Sequence, residues 1–582
     1  MTEPTGTLAA RDAAHLIHPV TPPREMTGGP GPRIVVDADG WWLTDDRGRR
    51  IIDGFAGLWC VAVGHGRPEI VDAVHRQMQT LEYFTTFHGQ SHPRAIELAE
   101  RIAALFPPEH GLNHVMFGSG GSEANETNFK IVRLYRALRG EDRRKTIVAR
   151  HHGYHGLTIA TMTATGIMPM HWNFGPEPPG FAHVAAPYCY RCELGRTYPE
   201  CDLACARSLE DLVEAEGPDT IAAFIAEPVI GAGGIIPPPP DYFPRIREIC
   251  DRYGILLVVD EVVTGFGRTG TMFGFQQWDG VRPDIVTLAK GLTSGYLPLG
   301  ASVVSDEIWD TISARLPEQM PFSHGYTYSG HPACCAAALA NLDVVEAEDL
   351  PANAARVGAH LMERMRELER FDSVGEVRGM GLMVGVELVA DKETKRGFTR
   401  PHGACSLVEH EAWERGLYAR AMGTEVVGAR PAPHHRHGDS RPDGRDPRRV
   451  RRGDGARADA ARAGGVAPAA EDPGGHAGRV LRAGPAGPLR PGEGGRGRDR
   501  APDGPRRARR GIWTVAVRDS ALEVRRLDTE VADATCTIRM RDADYVAMVN
   551  GDLPGDQAFV TQKLRLEGDM SRAAELMGLG IL

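Results

Sequence analysis

The stretch Ile255–Gly270, ILLVVDEVVTGFGRTG, and the nearby Pro283–Gly291, PDIVTLAKG, decide the fold. The unbroken apolar run Ile255–Val259 ends in Asp260 and Glu261, and a second run, Ile285–Ala289, ends in Lys290 and Gly291. Runs of this length without polar alternation predict short parallel strands covered on both faces, each with a charged residue at its C-terminal tip. Ligands of open α/β sheets bind at those tips. A carboxylate and an amine facing one crevice suit pyridoxal phosphate (PLP). The lysine amine forms a Schiff base, and the carboxylate keeps the pyridine nitrogen protonated so that the ring can accept electrons. A structural Asp–Lys ion pair satisfies the same two residues equally well, so the rest of the chain has to decide.

The 582 residues leave room for about two to four domains. A formal net charge of -10 argues against a nucleic-acid partner. No run approaches the ~18 apolar residues of a membrane span. The N-terminus, MTEPTGTLAARDAAHLIHPV, lacks the basic and apolar regions of a signal peptide. Ten cysteines without a secretion signal point to a reducing cytoplasm.

Residues 1–32 are polar and proline-rich and read as a surface arm. RIVVDADGWWLTDDRGRRIIDG reads as short strands broken by turns. Trp59 follows in a glycine-rich loop, as either a core residue or a pocket wall. Residues 67–81 and the segment PRAIELAERIAALF read as helices opened by proline, with the aromatic loop YFTTFHGQSHP between them. In VMFGSGGSEANETNFK a strand runs into Gly118-Ser119-Gly120-Gly121-Ser122 and then a helix. Small residues there let a phosphate approach free N–H groups at a helix N-terminus. No Gly-Lys-Ser/Thr follows, so this is not a Walker loop. Tyr154 sits in a glycine-flanked turn, able to stack on a cofactor ring or to serve as an ordinary turn residue. A strand ends at Glu227-Pro228. After Lys290, a Ser/Thr/Tyr/Gly loop containing Thr327 leads into a helix of small residues and offers a second set of phosphate donors.

Cys189, Cys192, Cys201 and Cys205 have C-x2-C and C-x3-C spacing, a weak candidate for a metal site beside the plainer reading of a thiol-rich surface loop. From Gly428 to Arg510 the chain is dense in arginine, has no lysine, and lacks Ile, Phe, Tyr, Trp and Met, so it cannot bury a core. A basic linker is one reading. The other is a pair of compensating frame errors. His434-His435-Arg436-His437-Gly438-Asp439 is CAY CAY CGN CAY GGN GAY; one base on, with Ser440 following, the same bases permit Ile-Ile-Ala-Thr-Glu-Ile, a strand end followed by a helix start. Sequencing the gene across this segment decides between the two. From Ile512 a separate α+β piece follows, small for an independent domain.

The motifs GSGGSEAN, HHGYHG, AEPVIGAGG, VVDEVVTGFGRTG, LAKG and HGYTYSGHP, in this order, resemble class III PLP-dependent aminotransferases of the ω-amino acid or amine:pyruvate type. The resemblance implies an α/β fold of PLP fold type I, with a large domain (about 60–325) around a mostly parallel sheet and a small α+β domain from both ends of 33–427. It implies Lys290 as Schiff-base lysine and proton shuttle, and Asp260 as partner of the pyridine nitrogen. Val262 and Tyr154 would sandwich the ring. Gly120, Gly121 and Ser122 would take the phosphate, and Thr327 would reach it from a partner subunit of a homodimer. Glu227 would support the ring-side hydrogen bonds. Trp59 and Phe87 would line the substrate pocket, and Arg420, in YARAMG, would bind a substrate carboxylate. The family's last strand and helix are expected after Val427, where the arginine-rich segment 428–511 stands instead. Residues 512–582 resemble the second half of the sterol carrier protein 2 (SCP2) domain.

The implied activity is amino transfer from an ω-amino acid or amine to a keto acid such as pyruvate. A PLP racemase or mutase of the same fold is the alternative within enzymes. A lipid-binding protein with an inactive enzyme half is the alternative outside them.

Overall fold

The computed structural model describes residues 7–29, 31–398, 403–422 and 426–429, with the strands Arg510–Arg518, Ala521–Leu527, Cys536–Arg541 and Leu564–Gly568. The chain divides into two compact units, Met1–Pro442 and Asp443–Leu582. The arginine-rich residues 430–509, and with them the possibility of a shifted frame, lie outside the described residues.

A seven-stranded sheet organises the first unit. Its strands lie in the order Leu112–Gly118, Gly300–Ser305, Ile285–Leu288, Leu256–Asp260, Ile221–Ala226, Thr146–Arg150 and Phe181–Val184. Gly300–Ser305 alone runs antiparallel to its neighbours; the last five strands of that order are mutually parallel. The central runs lack polar alternation because both faces are covered. Leu257 and Val259 pack into one apolar cluster, with Phe243, Ile246 and Leu209, while Leu256 and Val258 pack into another, with Phe129, Val132 and Ile225. Every residue of Leu256–Asp260 and Ile285–Leu288 is buried. These two strands are parallel neighbours, so Asp260 and Lys290 come off the same edge of the sheet.

The proline-led segments form the helices Pro68–Thr80 and Pro93–Ala103, and the small-residue segment forms Pro332–Ala347. The N-terminal arm contains a helix, Leu8–His15, capped by Thr7, whose side chain accepts from Ala10 N at 3.2 Å. A four-stranded antiparallel sheet follows the large one in sequence, in the order Val374–Met380, Met383–Leu388, Val426–Ala429, Arg420–Met422. Regular pairing therefore continues past Val427 to Ala429. The N-terminal strands Val35–Asp39, Trp42–Asp45 and Arg50–Ile52 join this region through Ile52, whose N–H donates to Gly416 O and whose carbonyl accepts from Tyr418 N.

Glu387 ties this sheet to the loop after Val184. Its carboxylate accepts from Tyr188, from Arg191 Nε at 2.5 Å and from Arg378 Nη1 at 2.6 Å, with Glu387 fully buried. Arg378 in turn donates to the carbonyls of Ile235 and Gly234.

The second unit is described as one antiparallel sheet, in the order Ala521–Leu527, Arg510–Arg518, Cys536–Arg541, Leu564–Gly568. Its first strand starts at Arg510, just before the expected start at Ile512. The helical part of the expected α+β piece falls outside the described residues.

Breaking the Glu387 centre should be costly, because removing one partner leaves a buried charge uncompensated. Glu387→Ala is expected to lower stability by about 3–5 kcal/mol, read as a lower urea midpoint of the transition that reports on the first unit.

Candidate active site

A cavity of about 430 Å³ opens at the C-terminal tips of the parallel strands and is lined by Asp260, Lys290, Tyr154, Val262 and the Ser119–Ser122 turn. Asp260 forms one wall. Its Oδ2 accepts from Asn125 Nδ2 at 2.8 Å and lies 2.8 Å from His155 Nδ1, which donates to it; its Oδ1 accepts from Val262 N at 3.1 Å. Lys290 follows the strand Ile285–Leu288 in a left-handed conformation, φ 45°, which is strained for an L-residue and common at functional sites. Its Nζ stands 5.3 Å from the centre of the Trp59 ring.

The strand Leu112–Gly118 delivers the chain to the Ser119–Gly120 turn, and the 18-residue helix Gly121–Leu138 begins there with no side-chain cap. Its terminal N–H groups and dipole favour an anion. A Cβ on Gly120 would meet no atom within 4 Å, so this position faces open space. Two other glycines permit close packing. A Cβ on Gly121 would stand 2.8 Å from Val262 Cγ2, and one on Gly156 would stand 2.4 Å from Ser122 Oγ. Tyr154 is held through its N–H, which donates to Glu227 Oε1 at 2.9 Å. Burial, and then the Asp260 charge, push its phenol upward. An uncapped helix end for a phosphate, a buried carboxylate for a pyridine N–H and an amine in one cavity are the donor set that PLP requires, and the residues present fit it.

Glu227 stands behind the cavity. Fully buried, it spans Tyr154 N and Gly231 N, and burial holds its carboxyl above the usual range. Trp59 is buried beside Lys290 and against Phe55, with 5.1 Å between ring centres. Trp59, Phe87, Thr327 and Arg420 do not line this cavity. Phe87 is partly exposed against Gly325, and Thr327 is exposed, its carbonyl accepting from Tyr83. Arg420 begins a strand of the smaller sheet beside Tyr418, whose ring packs on Phe55. A row of aromatic side chains thus runs from Arg420 to Trp59 and Lys290.

Among the described residues no three His, Cys, Asp or Glu side chains converge on a metal position. Cys189 is exposed, Cys192 and Cys201 are half-buried, and Cys205 is buried, its thiol pushed up to about 12 by burial. The loop instead straps onto the smaller sheet, through Tyr188 and Arg191 on Glu387 and through Lys395 Nζ, which donates to Tyr190 O at 2.8 Å.

Two residues against Asp260, Asn125 and His155, escaped the sequence reading. Asn125 lies three positions after Ser122, on the same face of the helix, so helical spacing could have pointed to it. His155 follows Tyr154 directly, but nothing local shows that its ring turns toward Asp260.

The sequence pattern of the family "Aminotransferase class-III" matches residues 26–434, and that of the "SCP-2 sterol transfer family" matches residues 507–579. The chain belongs to the class-III aminotransferases. It is 42% identical over 420 residues to diaminobutyrate–2-oxoglutarate transaminase of Halomonas elongata, covering 71% of this chain and 89% of that protein. It is 42% identical over 399 residues to putrescine–pyruvate aminotransferase of Pseudomonas aeruginosa, covering 68% and 86%. Among solved structures, an (S)-enantioselective ω-transaminase from Thermomicrobium roseum superposes with a TM-score of 0.71 at 47% identity, covering 74% of this chain and 94% of that one. A PLP-bound amine transaminase from an uncultivated Pseudomonas species gives a TM-score of 0.69 at 43% identity, covering 72% and 95%. Class-III aminotransferases are PLP-dependent enzymes that transfer an amino group from a donor to a keto acid. This transaminase has no helix among its described residues long and apolar enough to cross a membrane.

The open space at Gly120 makes a test of the phosphate end. Gly120→Ala should leave the stability of the cofactor-free protein within about 0.5 kcal/mol. It should weaken PLP binding about tenfold, ~1.4 kcal/mol, in an absorbance titration.

Proposed function

We propose that this transaminase takes the amino group of an ω-amino acid or simple amine and passes it to pyruvate, with Lys290 and Asp260 as its catalytic pair. The observation that carries the reading is the arrival of both side chains in one cavity, from adjacent parallel strands, opposite an uncapped helix end. PLP, when bound, supplies an aldehyde that captures amines and a ring that takes up the electrons of a broken C–H bond. Gly120, Gly121 and Ser122 would hold its phosphate, and Tyr154 and Val262 would flank its ring. Asp260 would keep a proton on the ring nitrogen. The Lys290 amine would hold the cofactor at rest and, once freed, would take up and return the proton at the substrate carbon. Glu227 acts one layer out, by holding the Tyr154 backbone.

Trp59 would form the substrate wall beside Lys290, and Phe87 and Arg420, which lie outside this chain's own cavity, would complete the pocket in the assembled enzyme, with the Arg420 guanidinium on the keto acid's carboxylate. The exposed aromatic side chains Tyr83, Phe84, Phe87 and Tyr328, beside exposed Thr327, favour a homodimer in which Thr327 serves the neighbouring site. Nine described cysteines are all free, which suits a reducing cytoplasm.

The visible absorbance of the full chain tests the reading. The cofactor band should bleach on adding a donor amine and return with pyruvate faster than with 2-oxoglutarate; a band that bleaches and never returns with any keto acid sinks amino transfer. Lys290→Ala should retain PLP but lose essentially all turnover. Arg420→Ala should raise the KM for pyruvate about tenfold, the loss of ~1.4 kcal/mol of carboxylate binding, and leave the first half-reaction with a neutral-tailed amine unchanged in stopped-flow kinetics.

A further inference from the structure

We infer that four buried side chains, Asn125 in the cavity wall and Thr287, Asn128 and Ser302 beyond it, form a one-directional hydrogen-bond ladder that presents Asp260 to the cofactor's ring nitrogen as an acceptor. The inference rests on the proposed role of Asp260 and adds positioning residues to it.

The ladder alternates between sheet and helix. Asp260, Thr287 and Ser302 sit side by side on three neighbouring strands, Asp260 in register with Thr287 and Thr287 with Ser302. Asn125 and Asn128 project from one face of the helix Gly121–Leu138 and fill the gaps between them. Asn125 Nδ2 donates to Asp260 Oδ2 at 2.8 Å, and Thr287 Oγ1 donates to Asn125 Oδ1 at 2.7 Å. Asn128 Nδ2 donates to Thr287 Oγ1 at 2.7 Å, and Ser302 Oγ donates to Asn128 Oδ1. The four ladder side chains are at most 1% exposed and Asp260 is 3% exposed, so water does not substitute for any link.

The direction is forced. The Asn125 amide faces two acceptors at once, Asp260 Oδ2 and the carbonyl of His155 at 2.9 Å, so it must turn its NH2 that way. Its oxygen then faces Thr287, which has one proton and must give it. Thr287 is thereby left as an acceptor, so Asn128 must present its NH2, and the Asn128 oxygen must receive the proton of Ser302. Reversing any link sets acceptor against acceptor in a dry interior, where an unmade hydrogen bond is expensive. The ladder therefore delivers a donor to Asp260 in one orientation only. An apolar isostere at its Thr link leaves the Asn125 oxygen without a donor, so that the amide is held from the Asp260 side alone, and one at its Ser link does the same to Asn128.

Thr287→Val keeps the shape of the side chain and removes both links at once; Thr287→Ser restores them. The full chain and these variants are titrated with PLP and with 1-deazapyridoxal 5′-phosphate, in which carbon replaces the ring nitrogen, following quenching of tryptophan fluorescence. The unaltered chain should bind PLP about tenfold more tightly than the deaza analogue. Thr287→Val should lose most of that preference while its affinity for the analogue stays unchanged, and Thr287→Ser should recover it. If Thr287→Val does not fold, Ser302→Ala at the far end should shift the preference in the same direction by a smaller factor. Equal weakening of both probes would reveal a purely structural role and overturn the ladder, as would no change for either. An unaltered chain that binds PLP and the analogue equally would instead overturn the pairing of Asp260 with the ring nitrogen, on which the ladder depends.

Discussion

A carboxylate buried at the end of a parallel strand is the constraint around which this enzyme is built. Asp260 is 3% exposed, and such a group persists in a protein interior only when its lone pairs are met by donors. Three elements meet them: the helix Gly121–Leu138 through Asn125, the turn after Tyr154 through His155, and its own chain through Val262 N. Each donor is fixed in turn. Asn125 is held from below by Thr287, and His155 N donates to Thr165 Oγ1 at 2.9 Å. The preorganisation a PLP enzyme requires thus rests on donors in the cavity wall that are themselves fixed by packed polar contacts beneath it.

The remaining architecture follows from where the sheet places its tips. Parallel strands covered on both faces leave only their ends open, so Asp260 and Lys290 have one common exit. The smaller sheet bears on that exit through side chains. Arg420 is linked toward the site through Tyr418, Phe55 and Trp59, and Glu387 fastens the same sheet to the cysteine-bearing loop by two donors, Tyr188 and Arg191. The cysteine-bearing loop is thereby strapped to this region of the chain. The spacing of its thiols carries no information about the partners, Glu387 and Lys395, that hold it.

Much of this was legible in the sequence. The apolar runs before Asp260 and Lys290 read as buried strands because their length and lack of alternation have one physical explanation, burial of both faces. The glycine turn before Ser122 read as an anion site because only a strand-to-helix junction uses small residues in that way. Thr327 was marked by its polar loop before a helix, whereas Phe87 and Arg420 were expected through resemblance alone; within one chain none of the three lines the cavity.

Sequence by itself determined the elements and the chemistry available to them. The strands, the proline-led helices and the lysine and aspartate at strand tips all follow from short-range patterns of apolar, turn-forming and charged residues. Tertiary structure alone decided which polar groups meet. His155 on Asp260, Glu227 behind Tyr154, and the alternation of Asn125, Thr287, Asn128 and Ser302 join residues up to 174 positions apart. Hydrogen bonds between distant segments depend on the register of whole strands and the seating of a helix on a sheet, and no local pattern encodes either.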